Sequence, residues 1–317
     1  MASIAELAKE KGINLYSKKE WKDSPTTPRY TDFSKLDLKK VEASKAITVT
    51  GLDTATKYDG LFEEEDPMIR INHELHNFSS NLSISGDKKI VFSHNSSVIG
   101  SIIINMEKDS NVSIDLGKYD LFNILLKIIT APGSKNRLEL KSENSGVTYI
   151  RIGHVLAEGS ELELVNSHIK DSFLFLKSYS ELSEKSSLMS RINVYADNGA
   201  HYDCVQDVIH IGRESNSHII GRGVIDGPSV LIFRGILKMS KEKCSGNFET
   251  KTLNISKGDA FTDSVPTLDI SSNNVSAKHS SSIENIDKEQ LFYLTSRGFD
   301  EKEASKLIIS SILALDI

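Results

Sequence analysis

Between residues 133 and 274 short apolar runs alternate with small polar clusters: GSKNRLEL, EGSELELV, EKSSLMSRINV, NGAHYDCV, ESNSHIIGRGVI, GPSVLIFRGIL, KCSGNFETKTLNI and KGDAFTDSVPTLDI. Each apolar run holds about four to six residues, the length of a strand and too short for a helix. From Lys185 onward the clusters recur roughly every 14–16 residues, the signature of repeated units rather than of one conventional core. Gly, Asn, Ser and Asp suit the corners between runs, because they tolerate left-handed φ or bond to the local backbone. No single unit has enough apolar surface to fold alone, so the units must stack. The pattern predicts a mainly β chain built as a right-handed parallel β-helix, or solenoid.

Upstream, AITVTGL, MIRINHELHNF, NLSISG, KIVFSHN, SVIGSIIINME and NVSIDLG read as earlier, less regular rungs rich in Ile, Val and Ser. Both ends have helical texture. Residues 2–11 predict a short amphipathic helix stopped by Gly12. Ser17-x-x-Glu20 suggests a capping box ahead of Trp21, and Pro25 and Pro28 then break the helix. Trp21 and Tyr30 are read as packing residues of a cap over the end of the solenoid. After Ser280, Asp287-x-x-Gln290 and Asp300-x-x-Glu303 open two helices joined at Gly298. The second is expected to present Ala304, Leu307, Ile308, Ser311, Ile312 and Leu315 on one face. These boundaries divide the chain into an N-terminal helical cap (1–45), a β-helix core (46–280) and a C-terminal helical hairpin (281–317).

Composition fits a solenoid, whose surface is large and whose corners are polar: only 38% of the 317 residues are hydrophobic. A net charge of −6 and 7% aromatics argue against nucleic acid as a partner. Two cysteines, Cys204 and Cys244, cannot staple a secreted domain of this size. The opening MASIAELAKEKGINL lacks the apolar core of a signal peptide. The longest apolar stretch, 121–131, is broken by Asn123 and Lys127 and is too short to span a membrane. The expected setting is the cytoplasm, with no membrane partner.

Few residues carry recognisable chemistry. No phosphate-binding loop and no G-x-S-x-G elbow is present. Gly221-Arg-Gly223 lacks the third glycine of a dinucleotide fingerprint and is read as corner glycines. His73, His76 and His94 lack metal-site spacing. His201, His210 and His218 fall on successive rungs and are read as hydrogen-bonded corner histidines that could otherwise stack into a metal cluster. Cys204 is read as a buried filler. The acidic run 63–66 is read as a solvated loop. Asp203, Asp207 and Asp226 fall on nearby rungs and keep open a polysaccharide-acting β-helix enzyme, which would need paired carboxylates on one face. A purely structural solenoid is the other alternative.

Near the C-terminus stands PTLDISSNNVSAKHSSSIE at 266–284, followed by LFYLTSRG at 291–298. These blocks resemble, without a gap, the P-x-L-E-I-x-x-N-D-V-K-C-S-H-G and L-F-Y-L-x-S-R-G runs of the SufB/SufD family of iron–sulfur cluster assembly proteins, and the SufD branch most. VLIFRG at 230–235 and RYTDF at 29–33 are similar to two further family segments. The departures are Ala277 in place of a cysteine, Ser280 where the SufB branch has Glu, and Lys251 near the place of a functional cysteine in the SufB branch.

The resemblance implies a scaffold subunit of a SufBCD-type complex rather than an enzyme. It implies docking of a SufC-like ABC ATPase on the helical tail, where Phe292, Tyr293, Arg297 and Gly298 are the candidate contacts. It also implies pairing with itself or with a SufB-like subunit. The bare strand edges expected of a solenoid place that pairing at 264–278. By resemblance His279 sits at the subunit interface and is the one candidate metal ligand. The chain alone is expected to hold no cofactor stably, and an iron–sulfur cluster would be bound only transiently, in the complex.

Overall fold

In the computed structural model the polar clusters are corners, and the runs between them are strands of a parallel β-solenoid. The structure describes residues 2–13, 36, 38–43, 49–51, 62, 66–92, 95–143, 146–169, 171–255 and 259–313. Ser17, Glu20, Trp21, Pro25, Pro28, Tyr30, the segments 29–33 and 63–65, His94 and Leu315 lie outside them.

Two early strands, β2 (Phe78–Phe92) and β3 (Asn95–Asp115), are long enough to pass from one face of the solenoid to the other. β3 pairs with β4 (Tyr119–Thr130) through one half and with β5 (Lys135–Glu143) through the other. From there the faces alternate. The even face continues through β6 (Val147–Leu156), β8 (Phe173–Leu182), β10 (His201–His210), β12 (Val230–Met239) and β14 (Phe261–Ile270). The odd face runs through β7 (Glu161–Ile169), β9 (Ser187–Ala196), β11 (Asn216–Ile225), β13 (Ser245–Asn254) and β15 (Ser276–Asn285). All these pairings are parallel, and the register is unbroken from β6 and β7 onward. Strands from β8 on begin 14–16 residues apart, the period of the sequence.

The strands run to about ten residues rather than four to six, because inward positions are not all apolar. Ser178, Ser180, Ser190 and Ser217 are buried and interrupt the apolar pattern without ending the strand. Gly221 and Gly223 are likewise not at corners. Both sit inside β11, where a Cβ would strike the Phe233 ring (and, at Gly223, Leu231) from the even face. Bulk on one sheet is matched by its absence on the other.

The corners form columns. Ser134, Ser160, Ser186, Ser215 and Cys244 are buried at successive corners, and each serine hydroxyl donates to the carbonyl three residues back. The left-handed corner position is taken by Gly133 and Gly159, then by Lys185, Glu214 and Lys243 with φ of 54°, 59° and 59°. A side chain there crowds the following carbonyl, so these corners hold strain that the stacked backbone bonds offset.

Helices lie on the sides of the solenoid, not over its ends. α1 (Ile4–Glu10) is capped by a Ser3–Glu6 box and closes at Gly12. With Leu36, Leu38 and Val41 it packs on α2 (Pro67–Leu75) and on outward residues of the even face, among them Leu125, Tyr149, Phe175 and Val205. The expected end cap is therefore a side cover. The stretch 68–78, read from sequence as a rung, is mostly helix: Asp66 accepts from the Met68 and Ile69 amides (2.8 and 3.1 Å) and Pro67 occupies the first turn. Asp66 also accepts from the Tyr149 hydroxyl at 2.6 Å, which pins the helix to the sheet. Asp66 is thus a buried cap rather than part of a solvated run. A two-residue strand, β1 (Val49–Thr50), pairs antiparallel with β2.

Two predictions follow the packing. Lys243→Gly should raise the urea midpoint by an amount worth about 0.5–1 kcal/mol, and Gly159→Ala should lower it by about 1 kcal/mol; shifts of the opposite sign would remove the strain argument. His154 and His210 point into the core, and burial pushes both imidazoles down to about 4. Their ring nitrogen shifts, followed by NMR, should stay those of neutral imidazole from pH 7 to below 5, well past the ordinary midpoint near 6.5. A titration near 6.5 would contradict the buried placement.

Candidate functional site

The solenoid ends on β14 and β15, each with one strand neighbour, and among the described residues no strand covers their far sides. Backbone geometry fixes which groups are left over. Phe261 and Ser271 donate toward β12, so the groups of Thr262, Ser264, Pro266, Leu268 and Ile270 face outward along the axis. Ser276 donates toward β13, so Ala277, His279, Ser281, Ile283 and Asn285 face outward on the other sheet. Pro266 has no N–H, and its ring falls where no bond to β12 is lost. Phe261, Ile270 and Ile283 are exposed here, and Leu268, Val275 and Ala277 pack against a core that no described strand closes.

The opposite end is defended. β2 carries a register shift between Ile84 and Gly86, then Asp87, Lys88 and Lys89, and β1 covers its last residues. Bulges and lysines discourage strand addition. Among the described residues, the β14/β15 end has no such cover.

His279 lies on β15 in register with buried Phe248 and belongs to the inward row, but with no coil beyond it the side chain is exposed. Ala277 is two residues earlier in the same row. Lys251 is on the outer surface, paired with Glu284 at 2.8 Å, and so faces away from His279. Among the described residues no three His, Cys, Asp or Glu side chains gather as a metal-holding group. Cys204 and Cys244 are both buried, and burial pushes the Cys204 thiol up, which suits packing rather than ligation.

The other sequence candidates separate. His201 and His210 stand at opposite ends of β10 and on opposite sides of it, and His218 is on the other face, so the three do not stack. His210 bonds Ser215 and Ser217 at 2.8 and 2.9 Å, and His218 bonds Asn247 at 3.0 Å. Asp203 is held by a buried two-point contact with Arg234 at 2.8 and 2.7 Å, Asp207 by Lys177 at 3.9 Å, and Asp226 forms a corner. The carboxylates needed by a glycosidase-like pair are thus tied into the framework.

The C-terminal hairpin is α3 (Lys288–Ser296) and α4 (Glu301–Leu313). Asp287 caps α3, and a reciprocal Asp300–Glu303 box starts α4. α4 buries Ala304, Ile308, Ile309 and Leu313, packing on Val224 of β11 and Leu253 of β13. That face differs from the expected one, since Leu307 and Ser311 are exposed. Only Leu291 and Leu294 of α3 turn inward. Phe292 and Tyr293 are therefore both in solvent, 73% and 57% exposed. Arg297 lies 5.1 Å over the Tyr293 ring. Gly298, at φ 100°, donates to Thr295 while Phe299 donates to Leu294, a Schellman closure, so this glycine shapes the turn. Phe299 and Leu307 are exposed as well, which nothing in their spacing announced.

Among the described residues no helix is long and apolar enough to cross a membrane. A family profile described as "SUF system FeS cluster assembly, SufBD core domain" matches residues 90–312. The iron–sulfur cluster assembly protein SufD of Bacillus subtilis is 28% identical over 200 residues, covering 61% of this chain and 46% of SufD. SufB of the same organism is 30% identical over 120 residues, covering 37% of this chain and 26% of SufB. A SufBD family protein of Staphylococcus epidermidis is 28% identical over 121 residues, 38% of this chain and 26% of that protein. The chain thus spans less than half the length of these relatives. With the profile extending over well more than half of its residues, the chain belongs to the SufBD family of iron–sulfur cluster assembly proteins.

Proposed function

We propose that this chain is a SufD-like scaffold subunit of a cytoplasmic SufBCD-type complex. It pairs through its open end with a second copy or with a SufB-like subunit, and docks an ABC-type ATPase on its helical hairpin. The observation that carries the reading is the terminal coil: a strand edge on both sheets that no described strand covers, with His279 in its inward row. A partner strand added there would bond the outward groups of β15 and close the exposed core. The longer SufD match supports the SufD branch. The cluster is cargo here. Neutral imidazole ligates iron, and His279 would supply one ligand at a junction whose thiolates come from the other chain.

The hairpin supports the second half of the proposal. Phe292, Tyr293, Phe299 and Leu307 are exposed apolar side chains of the hairpin, and Arg297 beside Tyr293 gives the aromatic and arginine mix common at binding hot spots. Because the hairpin rests on the side of the solenoid, it leaves the open end clear, and the two surfaces can be occupied together.

Three outcomes are expected. Ser281→Pro removes an amide that faces outward and bonds nothing among the described residues, so light scattering should find a folded protein whose pairing is weakened at least about tenfold; unchanged pairing would place the interface elsewhere. Deleting 287–317 should abolish ATPase binding in a pull-down while keeping a β-rich circular dichroism spectrum, and Phe292→Ala should weaken binding by about tenfold. Retained binding by the truncated chain would refute docking on the hairpin. In a complete reconstituted system His279→Ala should lower cluster formation, and an undiminished rate would remove the ligand role.

A further inference from the structure

The last coil is the least supported part of the solenoid. Every residue of β15 is at least partly exposed, and its strand bonds run to β13 alone. A strand in that position should fray, yet the chain does not end there. Ile286, directly after β15, is partly buried in the small apolar cluster under the hairpin. α3 begins at Lys288, and α4 then returns to the side of the solenoid with Ile308, Ile309 and Leu313 set against Val224 and Leu253. Its chief strand neighbours are β11 and β13, the strands before β15 on the same face. The chain thus passes from the free strand, out through α3, and is fastened again on coils that are already secure.

We propose that α4 is a strap: its grip on β11 and β13 holds β15 on the solenoid, and releasing that grip lets the terminal coil fray. The fastening contact is apolar and local. The one side-chain ion pair recorded between β13 and β15, Lys251–Glu284, is largely solvated and screened, so it cannot substitute for the strap. Stability is then graded along the axis, lowest at the coil with one neighbour. The strap stands without any docking partner.

Hydrogen exchange with mass-spectrometric detection tests this on the full chain alone, at two protein concentrations so that pairing is separated from fastening. In Ile308→Asp the peptide covering 276–285 should exchange roughly tenfold faster, while peptides from β9 and β11 keep their rates. The milder Leu313→Ala should shift the same peptide in the same direction and by less. Lys251→Ala, which leaves the strap intact, should change it less than about twofold. If α4 itself exchanges freely and 276–285 is unaffected, the hairpin does not hold the strand. If β9 and β11 loosen equally with β15, α4 is a general stabiliser and not a strap.

Discussion

A parallel, in-register sheet satisfies a strand's backbone only when another strand lies on each side. In a solenoid that condition is met by the next coil, over and over, until the chain has no next coil. Here β14 and β15 meet it on one side. Their free edges, the exposed core around Leu268 and Ala277 and the placement of His279 all follow from that single shortfall. At the other end the chain spends residues on the same problem, with a register shift, two lysines and a short covering strand. The asymmetry matters because two protected ends would isolate the molecule and two open ends would let it polymerise.

Coil stacking also explains which polar groups the interior can tolerate. Serines at corners bond the carbonyl three residues back, so a hydroxyl column costs little to bury. Apart from the buried His168–Asp171 pair, the buried Asp and Arg side chains stand at outward positions, where the N-terminal helices cover part of the even face. There Asp66, Tyr149 and Arg151 come together, and burial pushes the Asp66 carboxyl up while the Tyr149 hydroxyl and Arg151 pull it back. Asp203 and Arg234 satisfy one another on the same face. Removing one member of such a pair leaves the other charged and buried, so these contacts act as fixed rivets rather than as chemistry awaiting a substrate.

The repeat period was legible in the sequence because the corners keep their spacing even where residue types change. Two helix caps were legible too: Asp287 and the Asp300–Glu303 box cap as their spacing indicates, whereas the Ser3–Glu6 box was not singled out. Three things were not. Strand ends were hidden because buried serines and the glycines opposite Phe233 look like loop residues. Lys185, Glu214 and Lys243 occupy left-handed corners that propensity assigns to glycine, and their position is imposed by stacking on neighbours. α2 was concealed by short β-branched runs, although Asp66–Pro67 is a helix start. For the site, the family motif located His279 and the hairpin, whereas exposure is a tertiary property: Leu307 has the spacing of a buried residue and stands in solvent.

The proposed scaffolding role thus rests on two surfaces, one made by strands that run out of neighbours and one by helices that turn their aromatic side to solvent. The most direct test of the first is electron cryo-microscopy of the assembled particle. The account predicts that the sheets continue across the junction, with a partner strand about 4.8 Å from β14 or β15 and His279 beside it. A particle in which subunits meet through the helices or the sides of the solenoid, leaving β14 and β15 bare, would contradict it.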